Sequence, residues 1–128
     1  MNSSFDPGAL LASSYLLPRG PRVRLRLPQL RDAPAIRELL RSQGRGPEEL
    51  EAARLVRFDP RRRLVICATA LIGARETVVG IGAIDLEPGR QTQPDTLVVD
   101  RELTDGLDGL LARALIGRAA AVARTRAA

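Results

Sequence analysis

The sequence predicts one α+β domain of the three-layer type, with a mixed, largely antiparallel sheet and elements in the order β-α-α-β-β-β-α. Three observations lead to this fold class. Residues 23–27 alternate apolar and charged side chains, residues 63–71 and 77–87 are two β-rich runs, and residues 107–126 place apolar side chains at helical spacing. Because a short link joins the two β-rich runs, we expect them to pair as an antiparallel hairpin.

The first 21 residues are expected to form a loosely ordered arm, and residues 22–128 the single domain. The apolar run ALLASSYLL in the arm has no basic residue ahead of it and no small-residue cleavage site after it. It is also too short to cross a bilayer, so we expect neither a secretory signal nor a membrane partner. One cysteine offers no internal disulfide, which fits a cytoplasmic protein.

The basic residues of the chain are unusual in kind, since all 20 are arginine and none is lysine. Together with the abundance of alanine and leucine, this bias is typical of a GC-rich bacterial genome, so the net charge of +5 is weak evidence for a nucleic-acid partner. Base stacking needs aromatic side chains, and the chain has only three. We therefore expect no nucleic-acid partner. The absence of histidine removes the commonest metal ligand, and we expect no metal.

The first half of the domain reads as a strand followed by two helices. The strand that begins at Val23 ends at Pro28, and Asp32 is the expected N-cap of a helix that Gly44 ends. A second helix begins at Pro47, carries three glutamates near its start, and ends before Asp59. Both helices place apolar residues on one face, which predicts that they pack on the sheet.

The second half is predicted to be a hairpin, a further strand at residues 96–100 and the long last helix. Gly80 and Gly82 lie inside the second hairpin strand, where glycine marks a bulge or a close approach to the backbone. Asp105 and Asp108 lie at the predicted start of the last helix. The two acids are open to two interpretations: they cap the first turn as a capping box, or they flank a helix N-terminus that binds a phosphate.

The order of elements, the opening VRLRLPQLRDAPAIRELL, the strand VVGIGAIDL and the turn from LVVDREL into GLDGLLARALI resemble the N-terminal two-thirds of the GNAT N-acetyltransferase superfamily. The resemblance covers residues 22–128 and implies that the chain binds acetyl-CoA. In that family the strand backbone pairs with the pantetheine arm, and the amides of the following loop hold the pyrophosphate. The implied cofactor-binding residues are Val98, Val99, Gly106, Leu107, Asp108 and Gly109.

The phosphate loop of the family carries a basic or amide residue, then glycine, then a glycine or alanine, and this chain keeps one of the three. With Gly106 as the first glycine, Leu103 and Asp108 replace the other two; with Gly109 as the second, Thr104 and Leu107 do so. Family members also continue into a further strand that has no counterpart here. The open sheet edge predicts a homodimer that completes the sheet.

Acetyl transfer to an amine needs a general base and a backbone N–H that holds the thioester oxygen. Because the chain lacks histidine, Asp85 and Glu87 at the end of the second hairpin strand are the candidate catalytic residues. Two functions stay open at this point. The chain is either an N-acyltransferase acting on an amine of unknown identity, or a catalytically degenerate module of the same fold that acts in dimerisation or partner binding.

Overall fold

The computed structural model describes residues 14–18, 20–44, 46–87 and 93–127. Its five strands are β1 (Ser14–Leu16), β2 (Arg22–Arg26), β3 (Arg63–Ile72), β4 (Arg75–Asp85) and β5 (Thr96–Val99). Its α-helices are α1 (Ala33–Ser42), α2 (Glu48–Val56) and α3 (Leu107–Ala127), and a short 3-10 turn, Leu30–Asp32, precedes α1.

The strands form one sheet in the order β1-β2-β3-β4-β5, and every pair of neighbours is antiparallel. The α+β class is therefore confirmed, whereas the mixed sheet that we expected is purely antiparallel in the described strands. Part of the expected N-terminal arm lies in the sheet, because β1 pairs with β2 and Leu17 is buried in the core. Residues 1–13 of that arm lie outside the described residues.

The sheet is the middle of three layers, and its side chains alternate between two apolar clusters. The helix α3 covers one face, where its stripe of Leu107, Leu111, Leu115 and Ala119 is fully buried against β2, β3, β4 and β5. The helices α1 and α2 cover the other face, where Leu40 and others pack on the alternate residues of β3, β4 and β5. Each face thus has its own hydrophobic core, and the sheet is shared by both.

The two glycines of β4 mark the closest approach between α3 and the sheet. A Cβ atom on Gly80 would lie 3.0 Å from a methyl group of Leu107 and 3.0 Å from one of Leu111. A Cβ atom on Gly82 would lie 2.7 Å from Leu115 Cδ1, which is closer than real Cβ contacts. The prediction that something approaches the backbone here is confirmed, and the helix α3 is what approaches it.

A β-bulge lies beside these glycines, as the sequence also predicted. The pairing of β3 with β4 shifts by one residue between Ala68 and Thr69, so that Val79 is the extra residue on β4. Val79 packs in the α3 cluster while Val78 packs against the α1 and α2 cluster. The bulge therefore brings two successive residues, Val79 and Gly80, to the α3 face of the sheet.

A buried carboxylate ties the end of β2 to the start of α1. Asp32 accepts hydrogen bonds from Arg26 Nη1 at 2.7 Å, from Arg26 Nη2 at 2.9 Å and from the Gln29 N–H at 2.6 Å. Asp32 does precede α1, but its side chain makes no cap bond to that helix, so the predicted capping role is wrong. These hydrogen bonds, led by those of Arg26, hold the pKa of the Asp32 carboxyl below its ordinary value.

We expect the substitution Asp32→Asn to lower the free energy of unfolding by about 2 kcal/mol at neutral pH, because charge-assisted hydrogen bonds to Arg26 are weakened. A lowered folded-state pKa stabilises the protein above the ordinary pKa of 3.8, and this stabilisation is lost as the pH falls through the folded-state value. Urea denaturation from pH 7 downward should therefore show the difference between wild type and variant shrinking in acid.

The control for this measurement is Glu38→Gln in α1, which removes an exposed carboxylate paired with Arg41 at 3.4 Å. An exposed pair contributes about 0.5 kcal/mol or less, so this variant should stay close to wild type at every pH. A pH-independent difference for Asp32→Asn would contradict the coupling to Arg26.

We expect Gly82→Ala to lower the free energy of unfolding by about 1–3 kcal/mol, because the new methyl group overlaps the buried Leu115. The same substitution should cost less in a Leu115→Ala background, where the overlapping atoms are absent. A double-mutant cycle measured by urea denaturation tests this coupling.

The matched control is Gly117→Ala, an exposed position in α3 where a Cβ atom would meet nothing within 4 Å. Alanine is the better helix former, so this variant should be more stable by about 0.5–1 kcal/mol. Equal effects of the two substitutions would show that α3 does not press on β4.

Candidate functional site

The outer side of β5 is an open edge of the sheet. Val98 pairs with Ile81 of β4, and the Asp100 N–H donates to the Val79 carbonyl at 2.8 Å. Since successive residues of a strand direct their backbone groups to opposite sides, Leu97 and Val99 direct their N–H and C=O groups away from β4. No described strand pairs with that outer side.

Two adjoining grooves lie along this edge. The smaller, of about 120 Å³, is lined by Leu97, Val98, Val99, Arg101 and, from the end of α1, Gln43. The larger, of about 540 Å³, lies between α1 and the start of β4 and is lined by polar side chains that include Glu38, Ser42, Glu76 and Asp100. Neighbouring residues line the two grooves, since Ser42 and Asp100 belong to the larger one and Gln43 and Val99 to the smaller one.

The side chains of Val98 and Val99 are buried, at 4% and 6% exposure, in opposite cores. A ligand in the smaller groove would therefore meet the backbone of β5 rather than these side chains. The role that the family resemblance implies for Val98 and Val99, in which the strand backbone pairs with an extended ligand, stays a prediction.

The loop that leaves β5 is held by Asp100. The Asp100 carboxylate accepts the N–H groups of Glu102 at 3.0 Å and Leu103 at 3.1 Å, and the Asp100 carbonyl accepts both the N–H and the hydroxyl of Thr104, at 3.1 and 2.6 Å. Three successive loop amides are thus satisfied inside the loop. This role of Asp100 was not predicted, although an aspartate whose side chain accepts the N–H groups two and three residues further along is a known turn pattern.

The start of α3 lies at the end of that loop. Gly106 has φ of 86°, a left-handed conformation that glycine adopts without strain, and the helix begins at Leu107, which is fully buried. Asp108 is exposed, and its Oδ1 accepts the Gly109 N–H at 2.9 Å. Leu107 is buried with its N–H, so of the first two helical residues only the exposed Asp108 has an accessible N–H for which the described residues offer no acceptor.

The predicted capping box does not form. Asp105 is exposed and its side chain bonds to no first-turn amide in the described part of the chain, while Asp108 bonds only to the next residue. The N-terminal segment borders this loop, because a Cβ atom on Gly20 would lie 3.1 Å from the Leu103 carbonyl and one on Gly106 would lie 3.7 Å from Pro18. One side of the helix start is thereby covered.

Asp85 and Glu87 lie at the opposite end of β5 from the loop. Asp85 ends β4, just beyond the Ala83 to Thr96 pairing, and its Oδ1 accepts the Glu87 N–H at 2.8 Å. The rise of a strand, ~3.3 Å per residue, separates this end from the loop by roughly 10 Å along β5. The structure thus places the candidate base and the candidate phosphate loop at the two ends of one edge.

Arg63 also belongs to this acidic end of the edge. Its Nη2 donates to Asp95 Oδ1 at 2.7 Å and to Thr96 Oγ1 at 3.0 Å, so it joins the start of β3 to the start of β5. Arg63 could not be singled out from the sequence, because nothing in a run of three arginines distinguishes one that makes hydrogen bonds from those that are solvated.

The side chains of Cys67 and Tyr15 do not belong to this site. Burial raises the pKa of the Cys67 thiol to about 12, so the cysteine stays protonated at neutral pH. Tyr15 lies on β1, at the other edge of the sheet from β5.

In the described ranges no three His, Cys, Asp or Glu side chains are grouped to hold a metal ion. No helix in those ranges combines the length and apolar character needed to span a membrane.

Comparisons of the chain with protein-family models, with curated proteins and with solved structures find no match. The resemblance to the GNAT superfamily therefore stays a prediction, and it rests on the residues and motifs described above.

We expect Asp100→Ala to lower the free energy of unfolding by about 1–2 kcal/mol, since the amides of Glu102 and Leu103 lose their acceptor. Asp105→Ala removes the same charge from the same loop, and because Asp105 is exposed it should change stability by less than about 0.5 kcal/mol. Urea denaturation of the two variants compares them directly, and a larger loss for Asp105→Ala would refute the assignment of Asp100 as the loop anchor.

Proposed function

We propose that this chain is a GNAT-like N-acyltransferase that binds acetyl-CoA along the outer edge of β5 and transfers the acetyl group to an amine. The observation that supports this most is the continuity of the edge with the helix start. The outward backbone groups of Leu97 and Val99 lie on the strand that precedes the start of α3, where the accessible N–H of Asp108 has no acceptor among the described residues. An extended ligand with amide groups along its arm and phosphates at one end matches that arrangement.

In this proposal the pantetheine arm pairs with the backbone at Val98 and Val99, and the pyrophosphate lies on the loop formed by Gly106, Leu107, Asp108 and Gly109. Helix N-termini attract anions through their free N–H groups and the helix dipole. The acetyl group then lies toward the start of β5, near the end that carries Asp85 and Glu87. The single cysteine fits a cytoplasmic setting.

The chemical step is attack of a neutral amine on the thioester carbonyl. A carboxylate of Asp85 or Glu87 accepts the amine proton as the new C–N bond forms, and the C–S bond breaks to release the thiolate of coenzyme A. The Asp85 Oδ1 is engaged by the Glu87 N–H, so its Oδ2 is the oxygen that would accept the proton. A backbone N–H of the β5 edge would stabilise the oxyanion.

A specific observation favours the alternative, in which the fold is kept as a catalytically degenerate module for dimerisation or partner binding. The carboxylate of Asp100 already accepts hydrogen bonds from two loop amides, and Asp108 adds a second negative charge at the helix start. Each charge at ~4 Å would repel a phosphate by about 1 kcal/mol or more in a partly exposed site.

Titration with acetyl-CoA, followed by thermal shift and calorimetry, decides between the two functions. Saturable stabilisation, ~2.7 kcal/mol at one hundred times Kd, is expected for the acyltransferase. Adenosine 3′-phosphate 5′-diphosphate, which keeps the pyrophosphate but lacks the pantetheine arm, should stabilise the protein less, because it cannot pair with β5. No stabilisation at millimolar acetyl-CoA would refute the proposal and favour the module.

We expect Asp108→Gly to tighten acetyl-CoA binding about fivefold, because it removes a negative charge from the proposed phosphate position. The control Glu49→Gln removes an exposed carboxylate from α2, which lines neither groove, and should leave the affinity unchanged. Weaker binding by Asp108→Gly in calorimetry would show that the phosphates do not lie at this helix start.

A further inference from the structure

We propose that a groove over β1, β2 and β3 binds a small organic oxyanion, a phosphate monoester or a carboxylate that carries an apolar body. The groove has a volume of about 320 Å³, which is in the range of small-ligand sites. It lies on the sheet face that α1 and α2 cover further along, in a part that they leave open, since the described core under these helices contains no residue of β1 or β2.

Two arginines of β2 come together in this groove. Arg22 and Arg24 both line it, and because they are two residues apart their side chains leave the strand on the same face. Ser14 of β1 lies directly opposite Arg24, and Arg22 Nη1 donates to Ser14 Oγ at 3.4 Å. The Arg22 guanidinium is therefore drawn diagonally across the strand pair toward Arg24. In the described part of the chain neither arginine forms an ion pair.

The positive charge at this end of the groove has no internal counter-charge. Glu76 is the one acid among the described residues that line the groove, and its Oε1 already accepts Arg26 Nη2 at 2.7 Å. Glu76 also lies on β4, two strands and about 10 Å from β2. Like charges held together on a sheet are unfavourable, so an anion between Arg22 and Arg24 would relieve their repulsion.

A buried hydroxyl lies at the same place. Thr69 of β3 is directly opposite Arg24, lines the groove and is only 3% exposed. Its hydroxyl makes no hydrogen bond to any described residue, whereas buried polar groups in proteins are nearly always hydrogen-bonded. A ligand oxygen that Arg24 holds would be the partner that this hydroxyl lacks.

These groups define the chemistry of the ligand. The planar guanidinium matches two oxygens of a phosphate or a carboxylate, and the Thr69 hydroxyl can donate to one of them. Leu71 lies two residues further along β3 on the same face and is 71% exposed, so an apolar body next to the anion would remove it from water. The site lies ~20 Å along β3 from the end that faces Asp85, and it does not rest on the proposed acyltransferase function.

Calorimetric titration of the full chain with phenyl phosphate, benzoate and inorganic phosphate tests the class of ligand. Phenyl phosphate should bind about fivefold more tightly than inorganic phosphate, because its ring covers Leu71. The tighter of phenyl phosphate and benzoate assigns the site to phosphate esters or to carboxylates. Benzyl alcohol, which has the ring without the charge, should not bind. The proposal is overturned if neither aromatic anion saturates by about 10 mM, or if inorganic phosphate binds as tightly as phenyl phosphate.

Substitutions locate the site. Arg22→Gln and Arg24→Gln should each weaken the binding of the tighter aromatic anion about tenfold. The control Arg124→Gln removes the same charge from an exposed position near the end of α3, and should weaken binding less than about twofold.

Thr69→Val removes the hydroxyl but keeps the size of the side chain. It should weaken binding about fivefold without lowering the melting temperature, since no internal hydrogen bond is lost. Equal weakening by the three arginine variants would show attraction by net charge alone and overturn the site. A lower melting temperature with unchanged affinity for Thr69→Val would overturn the role of the hydroxyl, whether or not acetyl-CoA binds.

Discussion

The contact between α3 and the glycines of β4 is the constraint on which the structure depends. Leu107, Leu111 and Leu115 lie where Gly80 and Gly82 leave no side chain between helix and sheet. This close approach gives α3 a fixed distance from the sheet, and the bulge at Val79 turns one more apolar residue toward the helix. Because α3 covers β3, β4 and β5 together, its position fixes where the helix begins, and so where its N-terminus meets the end of β5.

The outer edge of β5 is the part of this architecture on which the proposed function depends. One end holds the loop anchored by Asp100 and the first amides of α3, and the other holds Asp85, Glu87 and the Arg63 to Asp95 pair. Between the two ends only backbone faces outward, since the valine side chains are buried. An edge of this kind suits an extended ligand that recognises main chain, as the pantetheine arm would.

Much of the fold could be predicted from the sequence, because its signals are local. Apolar and charged residues alternate in β2, and apolar residues recur at helical spacing in α3. Proline and glycine mark where elements end, so the order of most elements could be predicted. Gly80 and Gly82 predicted a bulge or close approach without saying what approaches, since the partner lies about thirty residues away. The strand β1 was missed because three residues are too few to show a period.

The details of the site were harder to predict, because they depend on which of several carboxylates meets which amide. Asp32, Asp105 and Asp108 all precede or begin a helix and look alike as caps, yet the first binds Arg26 and the third binds only Gly109. Asp100, which holds the loop, lies at a strand end where no helix cap was expected. The sequence pattern predicted which acids lie near helix starts. Their hydrogen-bond partners are decided by the tertiary structure.

The seating of α3 on β4 also bears on how this chain tolerates change. Since the helix is positioned by its leucines and by the two strand glycines, residues 101–105 are not what holds it in place. Substitutions in that loop can therefore accumulate while the helix keeps its place on the sheet.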